Sequence, residues 1–291
     1  MLWFKKQPEA SVKHGSAELI QPGILPLALD AGLFQQHLQN LIKVVEEGEP
    51  GLGLEVYIAS LTAKHQLFSN ALRPETIDEL RLDDIAILLE AVFSARRRVF
   101  ASLEKMGEDK AREAIRQLCF GSDPLSERMG SFADALPCAD VEAKQAAKLR
   151  RAMFDFGAEL LHFRAPIQYP LMTRWVWDQA TVSGALREFI RGNDSLTEIP
   201  LGSSPEMFEG ARAWMAEQIA EQGIFRDVEF WIDLVQAQAY ASYFRSMAEG
   251  MLSADFSRSA QPGDYIKKFL GIDEARPSGQ SRVIKNTGVK A

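Results

Sequence analysis

Three residues whose types and spacing suit chemistry fall on one predicted helix: Asp155, Glu159 and His162, at i, i+4 and i+7. At 3.6 residues per turn this spacing sets two carboxylates and an imidazole along a single face. Such a set can hold a hard or borderline divalent cation with an open coordination position. Glu-x-x-His is the ligand unit of helical di-iron bundles, which carry it twice beside two further Glu-bearing helices. Here it occurs once. A second contribution would come from Glu229 and Asp233, again i and i+4, continued on the same stripe by Gln236 and Tyr240. A polar stripe on an otherwise apolar helix has to be satisfied by solvent, by other side chains or by an ion. The expected metal site is therefore Asp155, Glu159, His162, Glu229 and Asp233. The plainer expectation leaves the acids facing water or paired with arginines.

The stretch from His162 to Asp178 concentrates two tryptophans, a tyrosine, two arginines and two prolines. Aromatic and arginine side chains together build interaction hot spots and base-stacking platforms, and prolines fix such groups at low entropic cost. His162, Arg164, Tyr169, Arg174, Trp175 and Trp177 are accordingly expected to bind a partner at an accessible surface. The bland alternative makes Trp175, Trp177 and Phe163 core anchors between two helical layers, since buried aromatics contribute large areas. Arg96 joins the candidates because it projects near the centre of the apolar arc of a predicted helix. A guanidinium there stays charged and needs a carboxylate or several carbonyls. Either it forms a structural ion pair or it builds an anion pocket with Arg150, Arg151, Arg164 or Arg174.

The elements that must position these residues are helical. Asp30 can cap a helix carrying Leu33, Phe34, His37, Leu38, Leu41, Ile42 and Val45, and a second helix covers about 54–72. Thr76 with Glu79 fits a capping box. The periodicity predicts a single helix over 84–107, whose residues Ile85, Leu88, Leu89, Val92, Val99, Leu103 and Met106 share one arc. Further helices are expected at about 109–119, 125–135 and 140–163. Pro166 and Pro170 then force an extended break. Short pieces at 171–177 and 183–191 precede helices at about 205–222 and 227–249. Alternating β-branched runs are nearly absent, so the fold class is an all-α bundle of about eight to ten helices. An irregular arm over 1–28, a helical domain over 29–270 with a sub-boundary near 193–204, and a flexible tail over 271–291 complete the organisation.

Composition narrows the function. Lys plus Arg is 33 against 40 Asp plus Glu, a net charge of -7, which disfavours broad nucleic-acid coating. The two cysteines, Cys119 and Cys138, match no zinc or redox spacing, and neither a secretory leader nor an 18-residue apolar run is found. A cytoplasmic chain with no membrane association is expected. Phosphate-binding, dinucleotide, zincin and nucleophile-elbow motifs are missing. These readings favour a helical interaction protein (adaptor, assembly factor or scaffold partner) with a protein partner and the 162–178 segment as its tool. The runner-up is an enzyme using a divalent metal, and the third is a nucleic-acid-associated role.

Overall fold

The computed structural model describes residues 19–48, 51, 53–137, 141–250 and 261–273. Most of the expected arm and tail, Cys138 and His14 lie outside them. Among the described residues ten α-helices form and no strand does; the one β-type contact is a bridge between Asp178 and Ser183. The helices are α1 (Ala31–Gly48), α2 (Glu55–Ala71), α3 (Leu82–Glu90), α4 (Phe100–Met106), α5 (Glu108–Phe120), α6 (Leu125–Ala133), α7 (Ala143–Arg164), α8 (Pro205–Glu221), α9 (Val228–Gly250) and α10 (Pro262–Phe269). The all-α bundle is the architecture that the hydrophobic periodicity implies.

Two helices act as hubs. α7 packs against α2, α5 and α6, while α9 packs against α1, α8, α10 and a 3-10 turn at Ala185–Phe189. α2 touches both hubs and joins them. From Ala152 onward α7 is buried on nearly every side, by Met153, Phe156, Ala158, Leu160, Leu161 and Phe163 among others. A helix enclosed on nearly every side lies in the middle of the protein, and its polar residues must then find partners inside. Gly157 lets α6 approach it, because a side chain there would press on the Phe132 ring. α7 stops where the chain meets Pro166: Ala165 takes an extended φ of -150°, as the residue preceding proline must avoid the α region. Each large side chain removed from water here contributes roughly 1.5–3 kcal/mol.

Local signals are obeyed at several ends. Asp30 Oδ1 accepts from the backbone N–H of Gly32 at 2.8 Å and of Leu33 at 3.1 Å, the expected cap of α1. The Thr76 box does not form. Thr76 precedes only a three-residue 3-10 turn, and its hydroxyl makes no cap bond; instead the Asp84 carboxylate reaches back to the N–H of Arg81 at 3.0 Å.

The helix expected over 84–107 is two helices with turns between them. Gly271, in the left-handed region at φ +66°, lies so close to the carbonyl of Ala91 that any side chain there would collide with it. The chain following α10 thus packs on the end of α3. At 171–177 turns replace the expected short helix. The stretch 193–204 sends Ile199 and Leu201 into the same buried core as both hubs, so the core is continuous across it.

Candidate functional site

Asp155, Glu159 and His162 are all buried on α7, and each has a different partner. The Asp155 carboxylate accepts from the backbone N–H of Arg174 at 2.9 Å and from its guanidinium at 2.8 Å. Glu159 Oε2 accepts from Lys64 Nζ at 2.6 Å. His162 Nε2 lies 2.8 Å from Asp233 Oδ2, and its Nδ1 lies 2.8 Å from the carbonyl of Tyr169. A carbonyl can only accept, so Nδ1 carries a proton there. Both ring nitrogens are thus engaged, one by main chain and one by the Asp233 carboxyl group.

Lys64 is the residue that sequence reasoning missed. Its ammonium also donates to the carbonyl of Leu270 at 2.6 Å and stands 3.9 Å from the centre of the Phe163 ring. The signal was present: Tyr57, Leu61, Lys64 and Phe68 form one buried stripe of α2, so Lys64 stood on a core face just as Arg96 did. Burial pushes the Glu159 carboxyl up to about 7, with Lys64 drawing it down. Burial likewise lowers Lys64 against the attraction of Glu159, and raises Asp155 against that of Arg174. Removing charges from water opposes ionisation of all three, and only their partners hold the charge in place.

The five residues expected to hold a metal do not assemble. His162, Glu229 and Asp233 line one cavity of about 10 Å³, room for about one water. His162 Nε2 is already committed to Asp233, and Asp155 and Glu159 face cations instead. No group of three or more His, Cys, Asp or Glu side chains that could hold a metal ion occurs among the described residues.

The accessible aromatic surface expected at 162–178 is also corrected. His162, Tyr169, Trp175 and Trp177 are buried, so neither indole is available for base stacking. Trp177 Nε1 donates to the carbonyl of Leu201 at 3.1 Å, and Trp175 packs against Tyr240 and Phe269. Their large apolar area made them anchors. Arg96 pairs with both carboxylate oxygens of Asp273 at 2.9 and 2.8 Å. Arg150 pairs with Asp134, Arg164 bonds the carbonyl of Leu72 and covers the Phe120 ring, and Arg174 serves Asp155. Arg151 is exposed, so the arginines expected to build an anion pocket are dispersed, and Arg96 takes the structural ion pair.

What these contacts do is hold the segment after α7. His162 grips it at Tyr169 and Asp155 grips it at Arg174. Arg212 of α8 donates to the carbonyls of Pro166 at 2.6 Å and Ile167 at 2.8 Å, while its own charge is met by Glu209 at 2.8 Å. Between these grips Ile167 stands 72% exposed, flanked by the partly exposed Arg164 and Gln168. Elsewhere an open groove of about 680 Å³ runs between α5 and α6, floored by Met106, Leu118 and Phe132 and edged by charges of both signs. Compared with protein-family models, curated proteins and solved structures, the chain matches none of them, and its function has to be read from its own residues.

Proposed function

We propose that this chain is a cytoplasmic interaction protein, an adaptor, assembly factor or scaffold partner, and that it meets a protein partner through the loop at 165–169. The observation that carries the reading is a loop whose carbonyls are gripped by His162 and Arg212, with Asp155 fixing the chain just beyond it at Arg174, and with an exposed isoleucine at its tip. A loop fixed in advance forfeits little entropy on binding, and a side chain such as Ile167 gains most when it fills an apolar pocket. The partner implied has such a pocket, with an acidic edge for Arg164. The aromatic residues of the segment serve from behind, as ballast that keeps the loop in place.

A photo-crosslinking amino acid at position 167 tests this in the native cell, with position 87 as control because Ile87 is also an exposed isoleucine (51%). The expected result is a discrete heavier species from 167 alone, diminished by Arg212→Ala. Equal labelling from both positions would overturn the proposal.

A further inference from the structure

The short helix α10 sits on the bundle as a bound peptide sits on its receptor. Its Phe269 ring meets Trp175 at 6.2 Å, Tyr240 at 4.8 Å, Phe244 at 6.1 Å and Phe93 at 5.8 Å, rings supplied by three separate stretches of the chain. At the end of the helix the Leu270 carbonyl, where the dipole is negative, receives the Lys64 ammonium. Two residues past the turn at Gly271, Asp273 closes on Arg96 through two hydrogen bonds. Eight residues are too few for a stable isolated helix in water, so the seat imposes the helical form.

The seat offers groups of defined chemistry: an aromatic wall, one ammonium for a helix-end carbonyl and one guanidinium for a carboxylate. The inner contact at Lys64 is buried, whereas Arg96 and Asp273 keep 19% and 27% of their side chains in solvent. An element with a firm inner contact and a wet outer clasp can be unfastened from its outer end. We propose that residues 261–273 are a detachable strap, and that the seat beneath is a recognition site for an amphipathic helix of the same chemistry. Such a helix would bring an aromatic ring in its last turn, a free carbonyl end and a carboxylate just beyond. This site is separate from the loop at 165–169, and either can stand without the other.

The test is a titration of the full-length chain with a fluorescent peptide of sequence 261–273, read by anisotropy. The attached strap competes, so apparent affinity scales with the fraction of open seats. In Asp273→Ala the attached strap loses its clasp while the peptide keeps its own carboxylate for Arg96. Binding should tighten about tenfold over the unmodified chain, the scale of one charge-assisted bidentate contact. In Arg96→Ala strap and peptide lose the clasp together, and no tightening over the unmodified chain is expected. A peptide carrying Phe269→Ala should not bind. Absence of saturable binding to Asp273→Ala, equal tightening in Arg96→Ala, or full binding of the Phe269→Ala peptide would each overturn the proposal.

Discussion

The loop at 165–178 and the strap at 261–273 are both short pieces of chain lying against long helices, yet they are held in different ways. The loop has no regular helix, and it is fastened from beneath: its own carbonyls and amides meet Asp155, His162 and Arg212. The strap is a regular helix with a buried charged contact to Lys64 and a half-wet clasp at Asp273. Regularity of backbone therefore does not measure how firmly a segment is fixed. What measures it is where the polar anchors lie, because a buried polar group left without a partner costs far more than an exposed one. In this protein the interior charges anchor main chain and leave the loop tip free to meet a partner.

The largest effect should come from the buried ion pair behind the strap's inner anchor. Lys64→Met strands Glu159 without a partner in the interior and is expected to lose about 3–5 kcal/mol in chemical denaturation. Adding Glu159→Leu should recover most of that loss, because an apolar pair of similar size suits the site about as well as the ion pair. Failure of the double variant to recover would mean that Lys64 acts mainly on the strap. Next in size, Asp155→Ala removes the acceptor of the Arg174 amide and should cost about 1.5–3 kcal/mol, with local loosening of the loop that the strap does not share.

Glu159→Gln gives a smaller effect with a defined pH dependence. Between its ordinary value of 4.5 and the raised value of about 7, the folded chain binds a proton at Glu159 that the unfolded chain has released. Stability from this group is complete below the ordinary value and falls as pH rises through the raised one. Lys64, Asp155 and His162 are the charges that modulate it. Glutamine is neutral throughout, so the melting temperature of Glu159→Gln relative to the unmodified chain should rise from pH 4.5 to pH 8; a constant difference would refute the assignment. Smallest of all on stability, Ile167→Ser should change it by no more than about 0.5 kcal/mol while removing the crosslinked species.

How much of this was legible in the sequence differs by kind of feature. Helices α1, α2 and α5 to α9 were readable because each carries its own apolar stripe, which is a local property. The break after α3 was not, since the apolar stripe runs on through it and nothing local marks the place where Gly271 packs against Ala91 some 180 positions earlier. α10 escaped notice because eight residues give barely two turns of periodicity, although Pro262 at its first turn and Asp264 reaching back to Gln261 were start signals. The polar residues of α7 were found by spacing alone. Their partners were not, because which acid meets which base is decided by the packing of α2, α9 and the loop around α7. Arg96 and Lys64 show the usable rule: a cation on an apolar stripe implies an acceptor from another element, while leaving unsaid which one.

The most direct measurement is amide hydrogen exchange at Arg174, whose N–H donates to the buried Asp155 carboxylate. Exchange as slow as that of the α7 interior, accelerated by Asp155→Ala, is the predicted result, for then the loop opens only when the bundle does. Exchange at the rate of an unprotected surface loop would contradict it, and would leave Asp155 and His162 buried without the task assigned to them here.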